Sequence, residues 1–142
     1  MGLINEMKTR LDSQIELGYS LIRTFLGLAL FIRGAIMFSD PGAITRLAGA
    51  NQWYWLYSFI IINHIICGLM LAAGVFTRIA SLLQIPILIT AVFVVHFKDG
   101  LLHQGQSLEL SALVLILLLN YLIFGAGALS IDNYLKKRKS KI

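Results

Sequence analysis

A chain of 142 residues that is 58% hydrophobic and only 13% charged departs from soluble domains, which run about 45–50% apolar and about 25% charged. At this size too much surface and too little charge remain for a water-exposed globule, and disorder requires a low hydrophobicity that this chain lacks. The lone Cys67 excludes an internal disulfide and any cysteine-based zinc or iron–sulfur site, so the bilayer is the solvent that fits.

The first sixteen residues are polar, with Glu6/Arg10 and Lys8/Asp12 four apart as on a solvated helix face. Residues Asn5–Glu16 are predicted to form a short interfacial helix running into the first span. No cleavable signal is expected, because no short apolar run with a small-residue cleavage site follows. Four stretches are long enough to cross: Leu17–Phe38, Trp55–Phe76, Ile79–Phe97 and Leu108–Leu129. A helix rises about 1.5 Å per residue, so roughly 20 apolar residues cover a hydrocarbon core of about 30 Å. Backbone groups in lipid must be satisfied within the segment, which makes these spans helices. The expected fold class is all-α: an integral membrane antiparallel four-helix bundle with a short N-terminal interfacial helix, one domain over 1–142 with a basic tail from residue 130.

Between the first two spans, Asp40 and Pro41 can cap and start a short helix that Gly49 could end. Trp53, Tyr54, Trp55 and Tyr57 stand where the chain re-enters the bilayer, as in an interfacial aromatic belt. The second and third spans are joined by little more than Thr77-Arg78, which forces an antiparallel hairpin. Pro86 falls inside the third span and should kink it. Lys8, Arg10, Arg78, Lys136, Lys137, Arg138, Lys139 and Lys141 share one side, with only Arg46 and Lys98 opposite. Both termini are therefore predicted to be cytoplasmic. Beside a span, the Lys136–Lys139 run reads as a topology and anionic-lipid anchor and not as a nucleic-acid patch.

Only Arg23, Arg33 and Glu109 among the charged residues fall within the spans. A charge at the bilayer centre costs about 2.5–3.5 kcal/mol on insertion scales, so such residues usually face protein or water. At about 100° per residue, Arg23, Gly27, Leu30 and Gly34 share a face of the first span, on which the glycines admit a neighbouring helix. Tyr57, Ile60, His64, Gly68 and Leu71 form a stripe on the second span, and Ile85, Ile89, Val92 and His96 one on the third. Glu109, Leu113, Ile116 and Asn120 do so on the fourth. If these stripes face inward, the outer half of the bundle holds Arg33, His64, His96 and Glu109; Asn120 is a structural polar residue, and Arg23 and Asp132 are structural at the cytoplasmic side, where the two could pair. Arg33 would balance Glu109 or hold an anion or a polarised carbonyl, and the imidazoles would pass protons near neutral pH. The bland alternative is a buried ion pair and hydrogen-bonded histidines that merely orient helices. No covalent cofactor is expected. Haem held by His64 and His96 is disfavoured, because their depths differ by roughly 12 Å along the helix axis. A metal site from His64, His96, His103 and Glu109 lacks any recognisable spacing.

The first span, with Arg23, Gly27, Phe31 and Gly34, resembles the R-x3-G-x3-F-x2-G opening of the DoxX family. Cys67-Gly68 through Gly74-Val75-Phe76-Thr77-Arg78 is similar to that family's small-residue helix ending in a G-x2-T-R turn. Gly125-Ala126-Gly127-Ala128-Leu129-Ser130-Ile131-Asp132 is similar to its G-x-G-x-x-S-x-D ending, and Glu109 falls where a family glutamate starts the last helix. The resemblance runs from Arg23 to Asp132. Two positions depart from it: Met37 stands where many relatives carry a lysine, and His64 where many carry a carboxylate. The resemblance implies a four-helix inner-membrane protein tied to respiratory or redox complexes, the family name coming from a subunit of a thiosulfate:quinone oxidoreductase. Other relatives are associated with thiol-stress complexes.

The expected function is thus a small membrane subunit of a quinone-linked oxidoreductase complex. Arg33, His64, His96 and Glu109 would contribute to a quinone or quinol pocket in the outer half. No residue set supplies a redox centre, so electrons would come from partner subunits or an external donor. The alternative is a non-catalytic accessory or scaffold subunit, with Gly27, Gly34 and Gly68 as helix contacts and the basic tail as a docking strip. A small transporter is a third reading, disfavoured by the lack of an internal repeat and of paired broken helices.

Overall fold

The structure, a computed structural model, describes residues 2–40, 54–96 and 107–140, with side chains over 14–40, 58–93 and 108–140. Every element among them is helical: α1 (Gly2–Ser39), α2 (Tyr54–Ala73), α3 (Thr77–Thr90), α4 (Ser107–Phe124) and α5 (Ile131–Lys139). A π-helical turn, Ala91–His96, continues α3. Pro41, Gly49, Trp53 and His103 lie outside the described residues, as do the side chains of Tyr54, Trp55, Tyr57 and His96.

Three boundaries differ from expectation, each for a local reason. The lead-in and the first span are one rod, with no separate interfacial helix. No proline interrupts 5–17, and a lone Gly18 costs only about 1 kcal/mol of helix propensity. The link after α2 is Gly74–Phe76 and not Thr77-Arg78. Gly74, at φ +70°, ends α2 in the left-handed region. The Gly74 amide then donates to the Leu71 carbonyl (3.2 Å) and the Val75 amide to that of Met70 (2.9 Å), which is the Schellman closure. Helix α4 stops at Phe124, five residues short of the expected end, because Gly125 and Gly127 take φ of +89° and +78°. In an apolar run, glycine alone does not announce that turn.

Helix α1 packs on α2, α2 on α3, and α3 with its π turn on α4. The array returns to α1 where Tyr19 meets Tyr121, ring centroids 4.8 Å apart. Pro86 has no amide to donate within α3, and the Thr90 hydroxyl donates back to the Pro86 carbonyl (3.0 Å) just before the π turn. Leu26, Leu30, Cys67, Leu71, Ala80, Ile85, Leu88, Leu118 and Tyr121 form the apolar core. The face of α1 through Arg23, Gly27, Leu30 and Gly34 is the buried one. On α4 the expected stripe is turned outward: Leu113 and Ile116 are 54% and 63% exposed, while Ser111, Leu118 and Tyr121 are buried. Helix α4 is apolar nearly all round, so periodicity carries little information about its facing.

Burial in this molecule runs inside out. Ser20, Arg23, Asn63, His64, Thr77, Ser81 and Gln84 are buried, while large apolar side chains on all four of the longer helices, such as Phe25, Ile66, Leu82 and Ile123, are exposed. Water would penalise such a surface by about 25 cal/mol per Å² of apolar area. Gln14–Ser39 is long and apolar enough to cross a membrane, and Ser58–Ala73, Thr77–Phe93 and Leu108–Phe124 are shorter apolar stretches.

Candidate functional site

The most heavily bonded constellation lies at the end of the array where α2 turns into α3 and α4 runs into α5. Arg23 projects there from α1 and is only 2% exposed. Its Nη1 donates to the Ala126 carbonyl, and its Nη2 to the Leu129 carbonyl at 2.8 Å, with the Ala72 carbonyl and Thr24 Oγ1 at 3.4 Å. One guanidinium fork thus ties the end of α2 to the turn after α4. One turn earlier on α1, Ser20 Oγ accepts from the Leu129 amide (3.1 Å) while donating to the Glu16 carbonyl (2.8 Å). The Tyr19 hydroxyl shares its proton between Asn120 Oδ1 and the Gly125 carbonyl, both at 3.1 Å, and Tyr121 donates to the Tyr19 carbonyl at 3.0 Å.

Asp132 completes this clasp without bonding to Arg23. Its two carboxylate oxygens accept from the amides of Phe76 (2.8 Å) and Thr77 (3.0 Å), and its own amide donates to the Gly74 carbonyl (3.0 Å). A carboxylate from the last helix therefore caps the start of α3, where open amides and the helix dipole favour negative charge. It also steadies Phe76, whose φ of +46° is uncommon for a residue with a side chain. Ser130 in turn caps α5 through the Asn133 amide (3.1 Å). Asp132→Ala should cost about 1–2 kcal/mol and speed hydrogen exchange at the Phe76 and Thr77 amides by about tenfold. Asp132→Asn, which keeps one acceptor oxygen, should fall between.

The other end of the array carries the residues expected to form a pocket, and the structure sets them on two seams. Arg33 and His64 flank the α1–α2 seam: Gly34 sits so close to His64 that a Cβ there would meet the His64 Cβ at 3.0 Å. His64 is buried, with its imidazole against the Ile60 carbonyl one turn earlier on α2, whereas Arg33 is exposed. Glu109, half-buried, stands in the first turn of α4, and His96 ends the π turn that packs on that helix. Asn120 is exposed and belongs to the clasp at the far end, where it accepts from Tyr19.

A second polar group bolts α2 to α3 at mid-height. Asn63 Nδ2 donates to the Leu83 carbonyl (3.0 Å), Gln84 Nε2 to the Asn63 carbonyl (3.1 Å), and the Cys67 thiol to Asn63 Oδ1 (2.7 Å). Attention to charge alone passes over Asn63 and Gln84. The cost of placing any polar group in an apolar stretch was the signal that could have found them.

The family model described as DoxX matches residues 18–97, more than half of the chain. The chain belongs to the DoxX family. Neither a curated protein nor a solved structure shows significant similarity to it. This DoxX protein is a small membrane protein, of a family often associated with redox- or quinone-linked complexes. The matched region spans α1 to the π turn of α3, and it contains Arg23, both glycines that pack on α2, and the Gly74–Arg78 turn. The turn after α4 that answers Arg23 lies beyond the match. Within the matched region, Arg23 and the Gly74–Arg78 turn both join the hydrogen-bonded clasp.

Proposed function

We propose that this DoxX chain is a four-span subunit of a respiratory or redox complex in a bacterial inner membrane. It would hold a quinone or quinol head in the half of the array remote from the clasp. The four spans are supported by the apolar side chains that α1 to α4 all expose, and cytoplasmic termini by the Lys136–Lys139 run beside the last span.

The single observation that carries the quinone reading is the α1–α2 seam at Arg33 and His64. The His64 ring is buried at the α1–α2 seam against Gly34, next in the chain to Arg33, and the exposed Arg33 guanidinium is the group that a ligand carbonyl in the lipid would meet. A ligand arriving from the bilayer would meet Arg33 first and keep its tail in lipid. The quinone would supply two-electron chemistry to a partner subunit; the chain's own part is to bind and orient the head, with Glu109 and His96 on the opposite seam. The second reading, an accessory subunit without a ligand, has its support in the clasp, whose polar groups are spent on the chain's own backbone.

Mild-detergent purification at native level, followed by extraction of lipid-soluble molecules, tests the proposal. Bound quinone should be found with the protein, and Arg33→Leu should lower it tenfold or more, the effect of removing a hydrogen bond to a charged donor. Glu109→Gln should lower it as well. Unchanged quinone in both variants, or none with the unaltered chain, would leave the accessory reading in its place.

A further inference from the structure

Helix α5 is tied through its first turn to the turns before α3 and after α4, and its residues from Tyr134 onward are exposed. Ser130 and Asp132 fix its first turn, yet none of its residues is buried. Ile131, Tyr134 and Leu135 are exposed and fall on one side at the spacing of a helical face. Exposed Phe76 and Leu129 continue that apolar patch onto the adjoining turns. Four consecutive basic residues, Lys136 to Lys139, fill the last turn. An apolar face beside a dense cationic end, held level with the ends of the spans, is the pattern of a helix lying in the headgroup layer.

A shallow, open depression of about 380 Å³ runs along the face of this helix, between Ala73 at the end of α2, Ala128 and Leu129 of the turn after α4, and the Ile131, Tyr134 and Lys137 side of α5. Its floor is apolar. The Asn133 amide group is already spent on the Ala128 carbonyl, and the Ser130 hydroxyl on that of Gly127. The Lys137 ammonium and the Tyr134 hydroxyl make no hydrogen bond to any described residue, so they are the donors left at the rim. A soluble phosphate would use the rim and waste the floor; a molecule with an anionic head on an apolar stem uses both.

We propose that this depression binds one anionic phospholipid, its phosphate against Lys137 and Tyr134 and the first acyl segments over Ala73, Ala128 and Leu129. The site rests on the membrane-spanning reading, which sets α5 at headgroup depth, and is independent of any quinone. It gives the basic tail a defined stoichiometric ligand in addition to diffuse attraction to the leaflet.

The test uses the full chain in nanodiscs of phosphatidylcholine with one quarter phosphatidylglycerol, with retained lipid counted by native mass spectrometry. Lys137→Gln should cut retained phosphatidylglycerol about tenfold, the effect of losing a charge-assisted hydrogen bond to the phosphate. Lys139→Gln, outside the depression, should change it less than twofold, and Tyr134→Phe should give a smaller loss than Lys137→Gln. Equal losses at Lys137 and Lys139, or no loss at either, would overturn the site. Incorporation into the discs is read from the same samples. A chain that incorporates but retains no phosphatidylglycerol removes the lipid site and leaves the spans standing, and failure to incorporate removes both.

Discussion

Replacing Arg23 with leucine should lower the stability of the protein by about 3 kcal/mol, seen as an earlier midpoint in titration from mild detergent into dodecyl sulfate. Interhelical side-chain bonds in membranes average about 0.6 kcal/mol and reach about 1.7. Arg23 makes two close charge-assisted bonds, to the carbonyls of Ala126 and Leu129, and weaker ones at 3.4 Å to Ala72 and Thr24. At the upper membrane value the close pair supplies the estimate. Leucine would fill much of the volume but leave both carbonyls of the 125–129 turn without their donor. Arg23→Lys should recover less than half of the loss, since a single ammonium cannot reproduce the fork. Arg23 Nε has no partner in the structure, so the two terminal nitrogens carry the effect. Protease sensitivity at the turn should rise in step with the shift. A midpoint unchanged in Arg23→Leu would mean that the clasp contributes nothing to stability.

Gly27→Ala should be of comparable severity, costing about 2–3 kcal/mol, through a different mechanism. A Cβ at Gly27 would stand 2.7 Å from both the Gly68 carbonyl oxygen and the Ala72 Cα, and one at Gly68 would stand 2.6 Å from the Phe31 amide nitrogen. These neighbours are backbone, which cannot rotate away, so α1 and α2 must separate along a seam that also includes Gly34. Overpacking of this kind typically costs about 1–3 kcal/mol. Gly68→Ala should cost a similar amount, and the double variant less than twice as much, because each change opens the same contact. Gly18→Ala is the matched control: a Cβ there meets nothing within 4 Å, so the change should be neutral or stabilising by up to about 1 kcal/mol. The dodecyl sulfate midpoint ranks all four variants in one experiment.

These two sites also mark where sequence reading succeeds and where it stops. Arg23, Gly27 and Gly34 stand out against an apolar background, and three such residues at helical spacing give the packed face of α1 directly. The partners of Arg23 could not be read in the same way, because they are backbone carbonyls, which every residue possesses. Asp132 was legible as a polar residue near the same membrane face. That it caps α3 and leaves Arg23 to the carbonyls depends on the left-handed geometry at Gly74 and Phe76. The facing of α4 was misread for the opposite reason: its few polar residues, Glu109, Ser111 and Asn120, lie on different sides of an otherwise apolar helix, and bonds from Tyr19 and Ser20 across the array accompany its true orientation. At the candidate pocket, helical spacing already turned Arg33 somewhat away from the packed face of α1, and the structure leaves it exposed while burying the His64 ring.

The cap donated by Asp132 has a consequence for biosynthesis. The amides of Phe76 and Thr77 emerge from the ribosome well before the carboxylate that receives them, which lies 55 residues beyond Thr77. At roughly 5–20 residues per second, the nascent hairpin waits on the order of 3–10 seconds with its bend unfinished. A stop codon or carboxy-terminal fusion that disturbs residue 132 would therefore strike a bend synthesised long before it.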